Sequence, residues 1–158
     1  MRKKYSCRLL AIVIFLLSGC SAFPVAPDLP DLSALTAGRN PYLVSGKFVM
    51  EEDSSDYEIC GAELKFYNRS EKKVTEFEVV FYLFDSDGEP AQECWNQLSF
   101  DIEKLIDEND SFEICLSLDS YMASVPQSLL RIDYLFVSKI CYDDGSVWED
   151  PYGLAAFM

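Results

Sequence analysis

The sequence predicts an all-β domain, a two-layer antiparallel β-sandwich of about seven strands, and three observations predict it. Apolar and polar residues alternate with period two over several short stretches from Tyr42 onward. Those stretches are rich in aromatic and β-branched residues and are separated by Asp-Gly and Asn/Ser-rich turn signals. No long segment with a helical period alternates with them, which argues against an α/β fold.

In residues 60–67 (CGAELKFY) the even positions are apolar and the odd ones mostly polar, so one face is buried. Residues 68–73 turn the chain. Residues 77–85 (FEVVFYLFD) are apolar on both faces and predict a central strand. Ser86-Asp87-Gly88-Glu89 closes that strand, with Gly88 supplying a positive φ. Residues 111–118 (SFEICLSL) set Phe112, Ile114, Leu116 and Leu118 on one face. Residues 131–142 (RIDYLFVSKICY) are expected to follow the same logic through Ile132, Tyr134, Phe136 and Ile140. A hairpin at Asp143-Asp144-Gly145-Ser146 then leads to a last short strand at Val147-Trp148. Only residues 102–106 and 121–130 carry a helical pattern, the second cut short by Pro126, and a single helical turn fits residues 31–36.

The N-terminus has a different character. Arg2, Lys3, Lys4 and Arg8 precede the uncharged run LLAIVIFLL, an n-region followed by an h-region. The run is far shorter than the roughly 20 apolar residues of a membrane-spanning helix. It ends in Leu17-Ser18-Gly19-Cys20, which resembles the bacterial lipobox. The resemblance implies that residues 1–19 are a signal peptide cut between Gly19 and Cys20, and that Cys20 carries diacylglycerol on sulfur and a further acyl chain, such as palmitate, on its amino group. Several chains at about 0.8 kcal/mol per buried methylene hold a protein durably on a membrane. The expected address is the cell membrane or outer membrane, facing the periplasm or exterior, and Ser21 resembles the residue that permits onward sorting.

Residues 20–41 hold four of the seven prolines and no alternation. Proline fixes φ and removes a donor, so this stretch reads as an extended tether. Residues 42–158 are then one domain. The signal removes four of 13 basic residues and none of the 27 acidic ones, leaving a charge of about −18. Such a chain repels nucleic acid and acidic head groups, so no nucleic-acid partner is expected. Cys60, Cys94, Cys115 and Cys141 remain after processing, an even number that suggests disulfides in an exported domain, with the pairing open.

Within the domain, Phe81, Leu83, Phe84 and Asp85 in FYLFD resemble the motif of the FxLYD type of bacterial immunoglobulin-like domain, with Phe84 in the Tyr position. The likeness covers about residues 57–118 and implies an immunoglobulin-like sandwich; it implies no reaction.

The chain contains no histidine, which excludes Ser-His-Asp and Cys-His catalysis. No phosphate-binding glycine motif or nucleophile elbow is present. The expectation is a protein that is not an enzyme, with no catalytic residue, cofactor or metal site beyond the lipid on Cys20. Asp85-Ser86-Asp87-Gly88 and Asp143-Asp144-Gly145 read as turns rather than calcium loops, because the oxygen-ligand spacing is missing. The acidic run at residues 51–56 supports weak cation binding as an alternative, and the four cysteines support thiol redox chemistry as another. Asn68-Arg69-Ser70 spells a glycosylation sequon but reads as a turn. Trp95, Trp148 and Tyr152 are the aromatic candidates for a partner surface, with an envelope protein as the expected partner.

Overall fold

The computed structural model describes residues 40–50, 54–92 and 94–157. The signal sequence, Cys20, the tether as far as residue 39 and the start of the acidic run lie outside the described residues. Where the sequence alternates, the chain forms strands: β1 (Tyr42–Val49), β2 (Gly61–Asn68), β3 (Val74–Phe84), β4 (Gln97–Ile106), β5 (Ser111–Ser117), β6 (Arg131–Tyr142) and β7 (Val147–Glu149). They pair antiparallel into a three-stranded sheet, β1-β2-β5, and a four-stranded sheet, β4-β3-β6-β7. This is an all-β, two-layer antiparallel sandwich in which the fourth strand joins the sheet of the third, sixth and seventh.

The core lies between the sheets. Ala62, Leu64 and Phe66 of β2 face Phe77, Val79, Phe81 and Leu83 of β3, all buried. Phe66 and Phe77 stack across the interface with centroids 4.3 Å apart and planes at 20°. Tyr42 stacks on Phe66 at 6.2 Å and meets Trp148 edge-on at 5.6 Å. Its buried hydroxyl accepts a hydrogen bond from the Val137 N–H at 3.0 Å, joining the start of β1 to the other sheet. Burial pushes the Tyr42 phenol up from its usual range.

Two polar side chains hold the loops. Asn68 is fully buried: its amide donates to the carbonyls of Lys72 and Asp107 at 2.8 and 3.0 Å, and its oxygen accepts the Ser70 N–H and hydroxyl. That side chain is consumed in closing the turn, as the turn reading of Asn68-Arg69-Ser70 requires. Asp119, in a 3-10 turn at Asp119–Tyr121, accepts the N–H groups of Glu58 and Ile59 at 2.7 Å and of Cys60 at 3.0 Å, and the Ser117 hydroxyl at 2.8 Å. Desolvation acts to raise this carboxyl, but the three backbone donors and the serine outweigh it and hold it at about 2.

Two expectations are corrected. Residues 102–106 belong to β4, not to a helix. Their buried positions, Leu98, Ile102 and Ile106, are spaced by four and mimic a helical period. On β4 the Lys104 ammonium sits 5.3 Å from the Phe112 ring centroid, and its charge breaks the alternation. Residues 121–130 form no helix beyond the single 3-10 turn that ends at Tyr121.

The four cysteines of the domain are dispersed over the sandwich. No disulfide links Cys60, Cys94, Cys115 and Cys141 among the described residues. Cys115 stands opposite Glu63 on the outer face of one sheet, and Cys141 opposite Glu76 on the outer face of the other. Those thiols are separated by a core about 10 Å thick. Cys60 lies inside the core, where burial first, and then Asp119 and Cys94, push its thiol up to about 12. A thiol held protonated is a poor nucleophile.

Replacing Phe66 by Ala is expected to cost about 3–5 kcal/mol, read as a lower urea midpoint at unchanged slope. Asp119 has a folded-state pKa below its unfolded value of about 3.9, so its contribution is present above that pH and lost as pH falls toward 2. Thermal midpoints followed downward from about pH 5 should show this decline, and Asp119→Asn should flatten it; parallel curves for the two proteins would contradict the assignment.

Candidate functional site

The site begins with a fault in alternation. β6 pairs with β3 with register shifts between Glu78 and Val79 and between Val80 and Tyr82. At the second shift Val80 faces Phe136 while Tyr82 faces Asp133, so β6 holds one residue more than β3 over this span. Tyr134 absorbs it with φ of +48°, a left-handed conformation costly for a bulky side chain. The bulge reverses faces, since one extra residue in a strand of period two sends following side chains to the other side. Leu135 and Val137 therefore point at the core, and Tyr134 and Phe136 point outward. This overturns the expectation that Tyr134 and Phe136 share a face with Ile140, which is buried in the core.

On the outer face these two join Val80, Tyr82 and Phe84 of β3 to form the floor of a groove of about 580 Å³. Tyr134 meets Tyr82 edge-on at 5.9 Å and Phe84 at 5.9 Å with a 54° tilt. One wall is Pro90, Asn96 and Gln97. Phe84 bridges to Pro90, and the Asn96 amide donates to the Leu83 carbonyl at 2.6 Å, fixing that wall to β3.

The opposite wall is Pro151 and Tyr152, set by buried Asp150. Its carboxylate accepts the N–H groups of Leu154 at 3.0 Å and Ala155 at 2.7 Å, which folds the end of the chain back over β6. Gly153 closes the wall with φ of +66°, and a Cβ there would come within 2.6 Å of the Phe136 ring, so only glycine fits. Tyr134 remains 53% and Tyr152 68% exposed, a large aromatic surface for a folded chain to leave in water.

Beyond Val80 the same face turns acidic. Register sets Glu78 opposite Asp101 and Glu76 opposite Glu103, like-charge pairs that each cost roughly 0.2–1 kcal/mol. Lys139 stands opposite Glu78 and Glu149 and lies 3.8 Å from Glu76. Glu78 is fixed in place: Ser138 donates to it at 2.5 Å and Ser99 at 2.6 Å, and those two hydroxyls hold its carboxyl below the usual range. The outer face of the three-stranded sheet contrasts with this. There Lys47 pairs with Glu63 and Lys65 with Glu113, at 2.8 and 2.6 Å, so the cross-strand charges lining the cleft of about 640 Å³ compensate one another and Asp56 adds a single further carboxylate.

The residues marked in the sequence are dispersed. Tyr152 is in the groove. Trp95 is 73% exposed on the segment leading into β4, and Trp148 is half-buried against Tyr42 as part of the core margin. Phe81 and Leu83 are core, Phe84 is groove floor, and Asp85 closes its own turn by accepting the N–H groups of Asp87 and Glu89 at 2.9 Å. Asp144 is likewise engaged, by Lys72 at 2.8 Å and by the Ser146 hydroxyl at 2.6 Å, partners that hold its carboxyl far below the usual range. Among the described residues no group of three or more acidic or cysteine side chains is arranged to hold a metal ion. Tyr82, Tyr134 and Phe136 were legible in the sequence as strand residues but not as site residues, because their shared face depends on the bulge.

No protein-family model matches the chain, and no curated protein matches it. Its fold is similar to an X-ray structure of a hypothetical protein from Peptoclostridium difficile 630, with a TM-score of 0.53 and 12% identity over 72% of this chain and 88% of that one. At that identity the likeness extends to the fold alone.

Replacing Tyr134 by Gly removes the ring contacts, worth about 0.5–1.5 kcal/mol, and relieves backbone strain of about 1–2 kcal/mol. The variant is expected to stay within about 1 kcal/mol of the parent in urea unfolding; a loss above about 3 kcal/mol would mark the ring as a packing residue instead.

Proposed function

We propose that this chain is a lipid-anchored, extracytoplasmic lipoprotein whose sandwich is a non-enzymatic binding module for another protein of the cell envelope. The address rests on the lipobox resemblance of Leu17-Ser18-Gly19-Cys20 and the proline-rich tether behind it. The resemblance of Phe81, Leu83, Phe84 and Asp85 to the FxLYD type of domain fits a module of this kind.

The observation that carries the binding reading is the cluster of exposed Tyr134 and Tyr152 over half-buried Tyr82 and Phe84, kept open to solvent by a residue in a strained conformation. Aromatic faces and proline edges offer contact area at low entropy cost. Strain maintained at a surface cleft supports a role in recognition. The groove offers shape, π faces and the amides of Asn96 and Gln97, which is the chemistry of docking.

Two measurements test the two halves. Labelling growing cells with a palmitate analogue should mark the parent protein and fail to mark Cys20→Ser, which should also leave the membrane fraction; equal labelling would remove the anchor. A photo-crosslinking amino acid in place of Tyr152 should capture a discrete envelope protein, whereas the same group at Lys65, on the compensated face, should not. Identical adducts from both positions would count against the groove.

A further inference from the structure

We infer that the occupant of the aromatic groove is an extended, cationic segment of the partner protein, an apolar ring seated among Tyr82, Tyr134 and Tyr152 and its Lys or Arg side chains lying along the acidic half of the same face. This rests on the binding reading above and adds the chemistry of the ligand.

The face is continuous. Glu78, Val80, Tyr82 and Phe84 are alternate residues of β3, so the fixed carboxylate and the groove floor follow one another at about 6.7 Å intervals. An extended chain laid along β3 has the same repeat, so successive outward side chains of a ligand meet first rings and then carboxylates. Asp101 and Glu103 of β4 and Glu149 of β7 flank this line, and Lys139 supplies one ammonium against their charge.

Charge complementarity selects the sign of the ligand. Opposed acids at Glu78–Asp101 and Glu76–Glu103 repel one another in the empty protein, and a bound cation relieves that repulsion at two places. The Glu78 carboxylate is ionised and immobilised by Ser99 and Ser138, so it loses little freedom when it meets a guanidinium or ammonium. The neighbouring tyrosine faces accept the same cations, since an ammonium or guanidinium is attracted to an aromatic face. An acidic or neutral segment would gain the groove and forfeit the rest of the face.

The test uses the full-length chain in detergent and three short fluorescent peptides, proline alternating with arginine, with serine or with glutamate, followed by anisotropy. The arginine peptide is expected to bind at least about tenfold more tightly than the serine peptide, with affinity falling as salt rises, and the glutamate peptide is expected not to bind. Tyr152→Ala and Asp101→Lys should each weaken the arginine peptide by about tenfold. Asp101→Lys, which removes one opposed acid pair, should at the same time raise the thermal midpoint. Equal binding of the arginine and serine peptides would overturn the cationic assignment and leave the groove standing. Arginine-peptide binding indifferent to both substitutions would overturn it as diffuse attraction to an acidic protein. No peptide binding alongside a specific Tyr152 cross-link would overturn this inference alone, and the loss of both would remove the binding reading with it.

Discussion

β3 is hydrogen-bonded on both sides, to β4 and to β6, and the outcome for most of the molecule follows from how its neighbours register against it. Its inward residues, Phe77, Val79, Phe81 and Leu83, are all buried and fix which face is core. A strand so constrained cannot slide, because a slip of one residue would expose four large apolar side chains. From Glu78 to Tyr82 the mismatch in length between β3 and β6 is taken up by β6, which holds an extra residue at each of two shifts. Tyr134 absorbs part of it in a conformation that tyrosine seldom adopts, and the aromatic groove is the visible result.

The two outer faces show different uses of charge. On the three-stranded sheet lysine and glutamate oppose one another across strands, the arrangement that favours stability. On the four-stranded sheet acids oppose acids. Stability alone would not select the second pattern, and the same sheet carries the exposed rings. Under the binding role proposed above, repulsion tolerated beside an aromatic surface is folding free energy given up for recognition.

Much of the fold was legible because period-two alternation and turn chemistry are local. β2, β5, the D-G hairpin and the positive φ at Gly88 and Gly145 agree with the reading of the residues. β4 was obscured by Lys104, whose charge interrupts the apolar face beside the Phe112 ring. The site was mostly illegible. Tyr152 was marked as an aromatic near a strand end, but Tyr134 reads as a core residue until the bulge is known, and nothing in the letters announces a register shift between distant strands. The opposed acids are equally invisible, since Glu78 and Asp101 become neighbours only through β3–β4 pairing. The placement of the cysteines is hidden for the same reason: only strand pairing sets Cys115 and Cys141 on the outer faces of different sheets.

The folded-back end of the chain has a mechanical meaning. Asn40, where the described domain begins, donates from its side-chain amide to the Ala155 carbonyl at 3.2 Å, and the turn it grips carries Tyr152. The point at which the chain enters the domain and one wall of the groove are thus fastened together. Under the anchoring proposed above, a partner pulled away from the membrane would load this corner first, through the Asp150 turn and the Tyr42 hydroxyl that ties β1 to β6. Tension would bypass most of the aromatic core, so the sandwich would transmit force between tether and ligand along a short path while its interior stayed unstrained.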